Sequence, residues 1–197
     1  TVVEVVMKEN RVLYRILKVI CGTILKVLYR PKVYGAENIP ETGGVVFASN
    51  HRHAFDPVVV MTFTSRFVHY LAKETIFRGI HGKMLESIGI IKVDRSKRNP
   101  LAVMSAENVL SAGGAIGIFP EGTRNRTEEP LLKFKTGAVR MAQNTNALII
   151  PCAIRGEFKV FKKGLEIEYG KPLEVSGMTV EEANDFVKNE VLSLLRK

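Results

Sequence analysis

The chain has 197 residues, 46% of them apolar and 25% charged, with 16 Gly, 8 Pro and 2 Cys, enough for one domain with a sizeable core. This composition excludes a disordered, collagen-like or low-complexity chain, and Cys21 and Cys152, far apart and without Cys-x-x-Cys spacing, exclude a disulfide scaffold or zinc ribbon. The 29 Lys and Arg against 20 Asp and Glu leave a net charge of +9, which favours nucleic acid, an anionic membrane or phosphate-bearing substrates as partners.

The excess charge is concentrated near the start. Between Asn10 and Ala36 there is no acid, while Arg11, Arg15, Lys18, Lys26, Arg30 and Lys32 are all basic. At 100° per residue, Arg11, Arg15, Lys18, Gly22 and Lys26 share one arc of a helix, and Leu13, Ile16, Leu17, Ile20, Ile24, Val27 and Leu28 fill much of the rest. The uncharged run Val19–Leu25 is far short of the roughly 20 residues of a bilayer span, and no small-residue signal-cleavage site follows. A basic amphipathic helix of this kind lies in a membrane interface, packs on the protein's own core, or does both.

From Val33 onward, short apolar runs alternate with helical patterns. Val45–Ser49, Val68–Ala72, Ile90–Val93, Ala115–Phe119, Ala147–Ala153 and Leu165–Tyr169 read as strands, several apolar throughout as in sheets buried on both faces. Pro57–Arg66, Pro100–Ala112, Lys135–Asn144 and Thr179–Leu195 read as helices, and Asp56-Pro57 and Asn99-Pro100 each look like an N-cap followed by Pro. This alternation predicts an α/β fold, a mostly parallel or mixed sheet flanked by helices, with residues 1–32 as an amphipathic N-terminal helix and 33–197 as the α/β domain.

Two segments at strand ends are candidates for chemistry. In Asn50-His51-Arg52-His53-Ala54-Phe55-Asp56-Pro57, His51 and Asp56 meet only if the segment turns, which a strand-to-helix junction provides. A carboxylate on one imidazole nitrogen would leave the other as a general base; otherwise Asp56 merely caps the next helix. A metal site from His51, His53 and Asp56 lacks a supporting ligand cluster, and no metal or cofactor is expected. In Phe119-Pro120-Glu121-Gly122-Thr123-Arg124, Gly122 permits close backbone approach, Thr123 offers a hydroxyl and Arg124 a planar fork for phosphate oxygens, although a polar turn with a Glu121–Arg124 ion pair would read the same. Lys73 and Arg95 would add positive charge at the same sheet edge. Serine elbows, Walker loops and dinucleotide fingerprints are absent, and Cys152 sits in an apolar strand.

Taken in order, these segments resemble the glycerolipid acyltransferase family, and within it the bacterial 1-acyl-sn-glycerol-3-phosphate acyltransferases. The first block is Asn50, His51 and Asp56; the second runs from Lys73-Glu74 through Gly82 and Gly89 to Val93-Asp94-Arg95. The third is Phe119–Arg124, and the fourth is the apolar run Ile149-Ile150-Pro151-Cys152-Ala153-Ile154. The chain departs from the pattern at Gly79, where Pro is usual, and at Asn125, where Ser commonly follows the Arg.

The resemblance implies acyl transfer from acyl carrier protein or coenzyme A thioesters to the free hydroxyl of lysophosphatidic acid, the alternatives being glycerol 3-phosphate or another lysolipid as acceptor, or a non-catalytic lipid-binding module. It implies His51 as base and Asp56 as its orienting partner, with Lys73, Arg95 and Arg124, and more weakly Arg126, as candidates for the acceptor phosphate, Thr123 in the same phosphate-binding loop, and Glu121 and Gly122 shaping that loop. The purely basic stripe of the N-terminal helix, which lies before the matched segments, leads us to expect a peripheral enzyme on the cytoplasmic face of an anionic membrane, with Arg11, Arg15, Lys18 and Lys26 as membrane contacts. A nucleic-acid partner is not expected, since the basic residues lie on an apolar helix and no binding motif is recognisable.

Overall fold

The structure is a computed structural model and describes residues 9–94 and 99–197. Seven strands form one sheet: β1 (Lys32–Tyr34), β2 (Val45–Ser49), β3 (Val68–Lys73), β4 (Ile91–Val93), β5 (Ala115–Ile118), β6 (Leu148–Arg155) and β7 (Glu166–Tyr169). Their spatial order is β1-β7-β6-β2-β5-β3-β4, with β6 and β7 antiparallel and every other neighbouring pair parallel. The helices are α1 (Arg11–Tyr29), α2 (Asp56–Thr62), α3 (Gly79–Ser87), α4 (Pro100–Ser111), α5 (Gly137–Thr145) and α6 (Val180–Leu195).

Alternate residues of the central strands feed two cores, as the period of two requires. On one face Val46, Ala48, Ile116 and Ile149 pack against Ala106 and Leu110 of α4, Val139 and Ala142 of α5, and Val187 and Val191 of α6. On the other, Val45, Phe47, Ala115 and Ile150 meet Leu25 of α1 and Val59 and Val60 of α2. The mixed sheet flanked by helices is the architecture read from the sequence. Two elements were not: β1, a three-residue edge strand paired to β7, and α3, which begins at Gly79 with φ +63°.

The second helix is shorter than its pattern suggests, ending at Thr62 rather than Arg66. Arg66 is buried and donates from its guanidinium to the carbonyls of Pro40, Gly43 and Gly113 at 2.5, 2.6 and 2.7 Å, tying three chain segments together. Asn99 caps α4 as expected, its Oδ1 accepting the Ala102 N–H at 3.2 Å. Asp56 is no cap: it lies inside the first turn of α2, and its carboxylate is used elsewhere.

Helix α1 corrects the expected basic stripe. Lys18 and Gly22 turn inward, Lys18 Nζ donating to the Thr64 carbonyl and Gly22 sitting where an added Cβ would lie 2.9 Å from Thr62 Cγ2. Burial lowers the Lys18 pKa, so this lysine belongs to the packing and not to an outer charged face. Tyr14 is buried beside them, and its hydroxyl accepts the Val68 N–H at 3.0 Å. Arg11, Arg15 and Lys26 remain exposed. The other arc, Val12, Ile16, Val19, Ile20, Ile24 and Val27, is 48–68% exposed, so the helix presents an apolar ridge to its surroundings. Among the described residues, no helix is long and apolar enough to cross a membrane.

Candidate active site

Strands β2 to β6 run parallel, so their carboxyl ends share one edge of the sheet, where open α/β sheets bind ligands. This edge gathers the Asn50–Asp56 loop after β2, Lys73 at the end of β3, Asp94 after β4 and the Phe119–Arg124 loop after β5. Arg95 lies outside the described residues.

The turn after β2 brings His51 and Asp56 together. Asp56, 1% exposed, accepts on one oxygen, Oδ2, the ring Nδ1 of His51 at 2.9 Å and the N–H groups of Arg52 and His53 at 2.7 Å each. That carboxylate thereby winds the loop and holds the imidazole by Nδ1, which with its proton there leaves the Nε2 lone pair free. The Phe119 ring stacks on His51, centroids 4.1 Å apart at 22°, and holds the plane of the imidazole. Asn50 anchors the loop from behind: its side-chain amide donates to the Ile154 carbonyl at 2.9 Å and accepts the Ile154 N–H at 2.8 Å, extending the β2–β6 ladder by one rung.

Glu121 shapes the loop from within and forms no ion pair with Arg124 among the described residues. It is buried, Oε1 accepting the His51 N–H at 2.7 Å and Oε2 the Leu132 N–H at 2.9 Å, so both oxygens are spent on backbone. Asn125 completes the stitching, donating its N–H to the His51 carbonyl at 2.6 Å and its side-chain amide to the Glu129 carbonyl at 2.7 Å. Thr123, Arg124 and Arg126 stand exposed in the loop.

A cleft of about 360 Å³ opens beside the imidazole, lined by His51, Phe119, Gly122, Lys135 and the apolar side chains Leu71, Val93, Val103 and Ile118. Lys135 escaped the sequence reading, for nothing in a Lys-Phe-Lys stretch before a helix marks it. It arrives because its N–H donates to the Pro120 carbonyl at 2.8 Å, and its side chain crosses Gly122 so closely that a Cβ there would lie 2.7 Å from Nζ. Gly122 also has φ +70°, so glycine serves both the turn and the approach. Among the described residues, no group of three or more His, Cys, Asp or Glu is arranged to hold a metal.

A histidine held by a buried carboxylate, at the mouth of a largely apolar cleft that Lys135 also lines, is an arrangement able to take a proton from a hydroxyl. The family model described as Acyltransferase matches residues 30–155, and the chain belongs to that family. It is 34% identical over 163 residues to the 1-acyl-sn-glycerol-3-phosphate acyltransferase of Bacillus subtilis (strain 168), covering 78% of this chain and 80% of that protein. It is 33% identical over 171 residues to the enzyme of the same name from Borreliella burgdorferi, covering 83% of this chain and 68% of that protein. The crystal structure of the 1-acyl-sn-glycerophosphate (LPA) acyltransferase from Thermotoga maritima superposes with a TM-score of 0.65 at 23% identity, over 84% of this chain and 73% of that one, and shares the fold.

Proposed function

We propose that this acyltransferase moves a fatty acyl group from an acyl thioester to the sn-2 hydroxyl of 1-acyl-glycerol 3-phosphate, yielding phosphatidic acid. The observation that carries the reading is the His51–Asp56 pair at 2.9 Å on the lip of the apolar cleft. His51 Nε2 removes the acceptor's hydroxyl proton as its oxygen attacks the thioester carbonyl. The tetrahedral adduct collapses with loss of the thiolate, which takes the proton back from His51. Asp56 stabilises the imidazolium that exists between the two transfers. No acyl-enzyme is needed.

Lys135, Lys73 and Arg124 are the cations offered to the acceptor phosphate, with Arg95 and Thr123 as further members and Gly122 giving the close approach. Glu121 acts through backbone. The exposed apolar ridge of α1, bordered by Arg15 and Lys26, suits the interface of an anionic membrane, where the acceptor's tail is already buried. Acyl carrier protein and coenzyme A are both compatible donors, each acidic against a chain of +9.

The reading is tested by incubating the protein with lysophosphatidic acid and either thioester, with glycerol 3-phosphate and lysophosphatidylcholine as competing acceptors. Phosphatidic acid as the dominant product supports it. Preferential acylation of either competitor reassigns the acceptor, and no product with any of them removes the enzyme reading.

A further inference from the structure

The segment 156–164, between β6 and β7, has the sequence Gly-Glu-Phe-Lys-Val-Phe-Lys-Lys-Gly and is absent from the motifs above. At its tip Val160 is 50% exposed and Phe161 68%, flanked by the exposed Lys159, Lys162 and Lys163. Phe161 has φ +59°, a left-handed conformation that a bulky side chain rarely adopts. Packing does not explain it, because the ring is mostly in the open. Its N–H donates to the Leu28 carbonyl at 2.6 Å, fastening the tip to the last turn of α1, the helix whose apolar ridge includes the exposed Ile24 and Val27.

The base of the segment faces the site. Phe158 packs edge-on against Tyr29 of α1 (5.4 Å between centroids) and stacks on His53 at 4.2 Å and 22°. Phe55, 49% exposed, stands 6.2 Å from Phe158 in the same loop that carries His51 and Asp56. One short segment therefore links an exposed apolar tip, the membrane-suited helix and the active-site loop.

We infer that segment 156–164 is a second lipid contact, which inserts Val160 and Phe161 into an anionic bilayer while its lysines meet the headgroups, and so seats the His51 loop at the interface. The inference rests on the membrane reading of α1 given above. Three lysines against one glutamate give the charge complementarity, and the Phe161–Leu28 bond gives continuity with the helix.

The chain contains no Trp, so F161W gives a single reporter. With vesicles containing phosphatidylglycerol its emission is expected to shift to the blue and to be quenched by lipids brominated on the acyl chain, and much less so with pure phosphatidylcholine. The double substitution V160S/F161S is expected to weaken vesicle binding about tenfold. It should slow acylation of vesicle-embedded lysophosphatidic acid while sparing a short-chain, monomeric acceptor. F161G separates contact from folding: glycine suits the left-handed backbone, so its Tm should hold or rise while vesicle binding falls. Unchanged F161W emission with vesicles that sediment the wild type overturns the inference, as does full vesicle binding by V160S/F161S. Wild type that does not sediment at all removes the membrane reading of α1, and this inference with it.

Discussion

The carboxylate of Glu121 accepts the main-chain N–H of His51 at 2.7 Å, joining residues 70 apart in sequence. Through this bond the loop after β5 sets the height of the loop after β2, and the imidazole is located by two carboxylates: Asp56 on its ring and Glu121 on its backbone. With Leu132 on its other oxygen, Glu121 also holds the start of the stretch that delivers Lys135 to the cleft.

Glu121→Gln leaves one carbonyl oxygen to accept but turns an NH2 toward a backbone N–H. The expected result is a destabilisation of about 1–3 kcal/mol in thermal denaturation. A fall in kcat should accompany any rise in acceptor KM, because Glu121 seats both the His51 loop and the stretch that delivers Lys135. A rise in acceptor KM alone would return Glu121 to the phosphate site.

Gly122→Ala forces a Cβ against Lys135 and into a left-handed backbone. It is expected to raise the KM for the acceptor about tenfold, as is Arg124→Ala, with the thioester KM little changed. Kinetics indistinguishable from wild type would remove the corresponding residue from the acceptor site.

His69 is buried at 5% exposure beneath α1, its Nδ1 donating to the Gly89 carbonyl at 2.9 Å, and burial lowers its pKa to about 4. The unfolded chain binds this proton near pH 6.5 and the folded one only near 4, so stability is lost as pH falls between those values. Glu9, whose Oε1 lies 3.5 Å from the same ring nitrogen and whose pKa burial raises, titrates with the opposite sign, so the net loss is smaller than His69 alone would give. His69→Asn, whose amide can donate to Gly89, should flatten that part of the stability curve. An unaltered slope in denaturant titrations at pH 4 to 6.5 would contradict the assignment.

Tyr70 is buried, and its hydroxyl has no hydrogen-bond partner among the described residues; burial holds its pKa well above the ordinary value. Tyr70→Phe removes the orphaned group and keeps the ring stacked near Phe119. The substitution is expected to be neutral or to stabilise by about 1 kcal/mol. A clear loss of Tm would show that the hydroxyl has a partner.

The central sheet was legible because β2, β5 and β6 are buried on both faces and carry short apolar runs bounded by Gly- and Asn-containing turns, alternating with helical patterns. The His51 and Asp56 motif was legible as residue types at a strand end. Its geometry was not, because three donors converge on one oxygen only after the turn is made. Glu121 was legible as a residue that shapes its loop, but not by which contacts, because its partners, His51 and Leu132, lie in distant or irregular segments. Lys18 illustrates the limit of a helical wheel. The wheel groups it correctly with Gly22, but only the packing of α1 on α2, through Gly22 and Thr62, decides which arc faces inward.

The most direct test of the account is the rate of phosphatidic acid formation by His51→Ala beside the wild type, at saturating lysophosphatidic acid and thioester, with the fold of each checked by circular dichroism. A general base supplies roughly 100- to 10,000-fold, so the variant should fold normally and lose at least that lower factor. A folded His51→Ala protein retaining a tenth or more of the wild-type rate would contradict the assignment of His51 as the base.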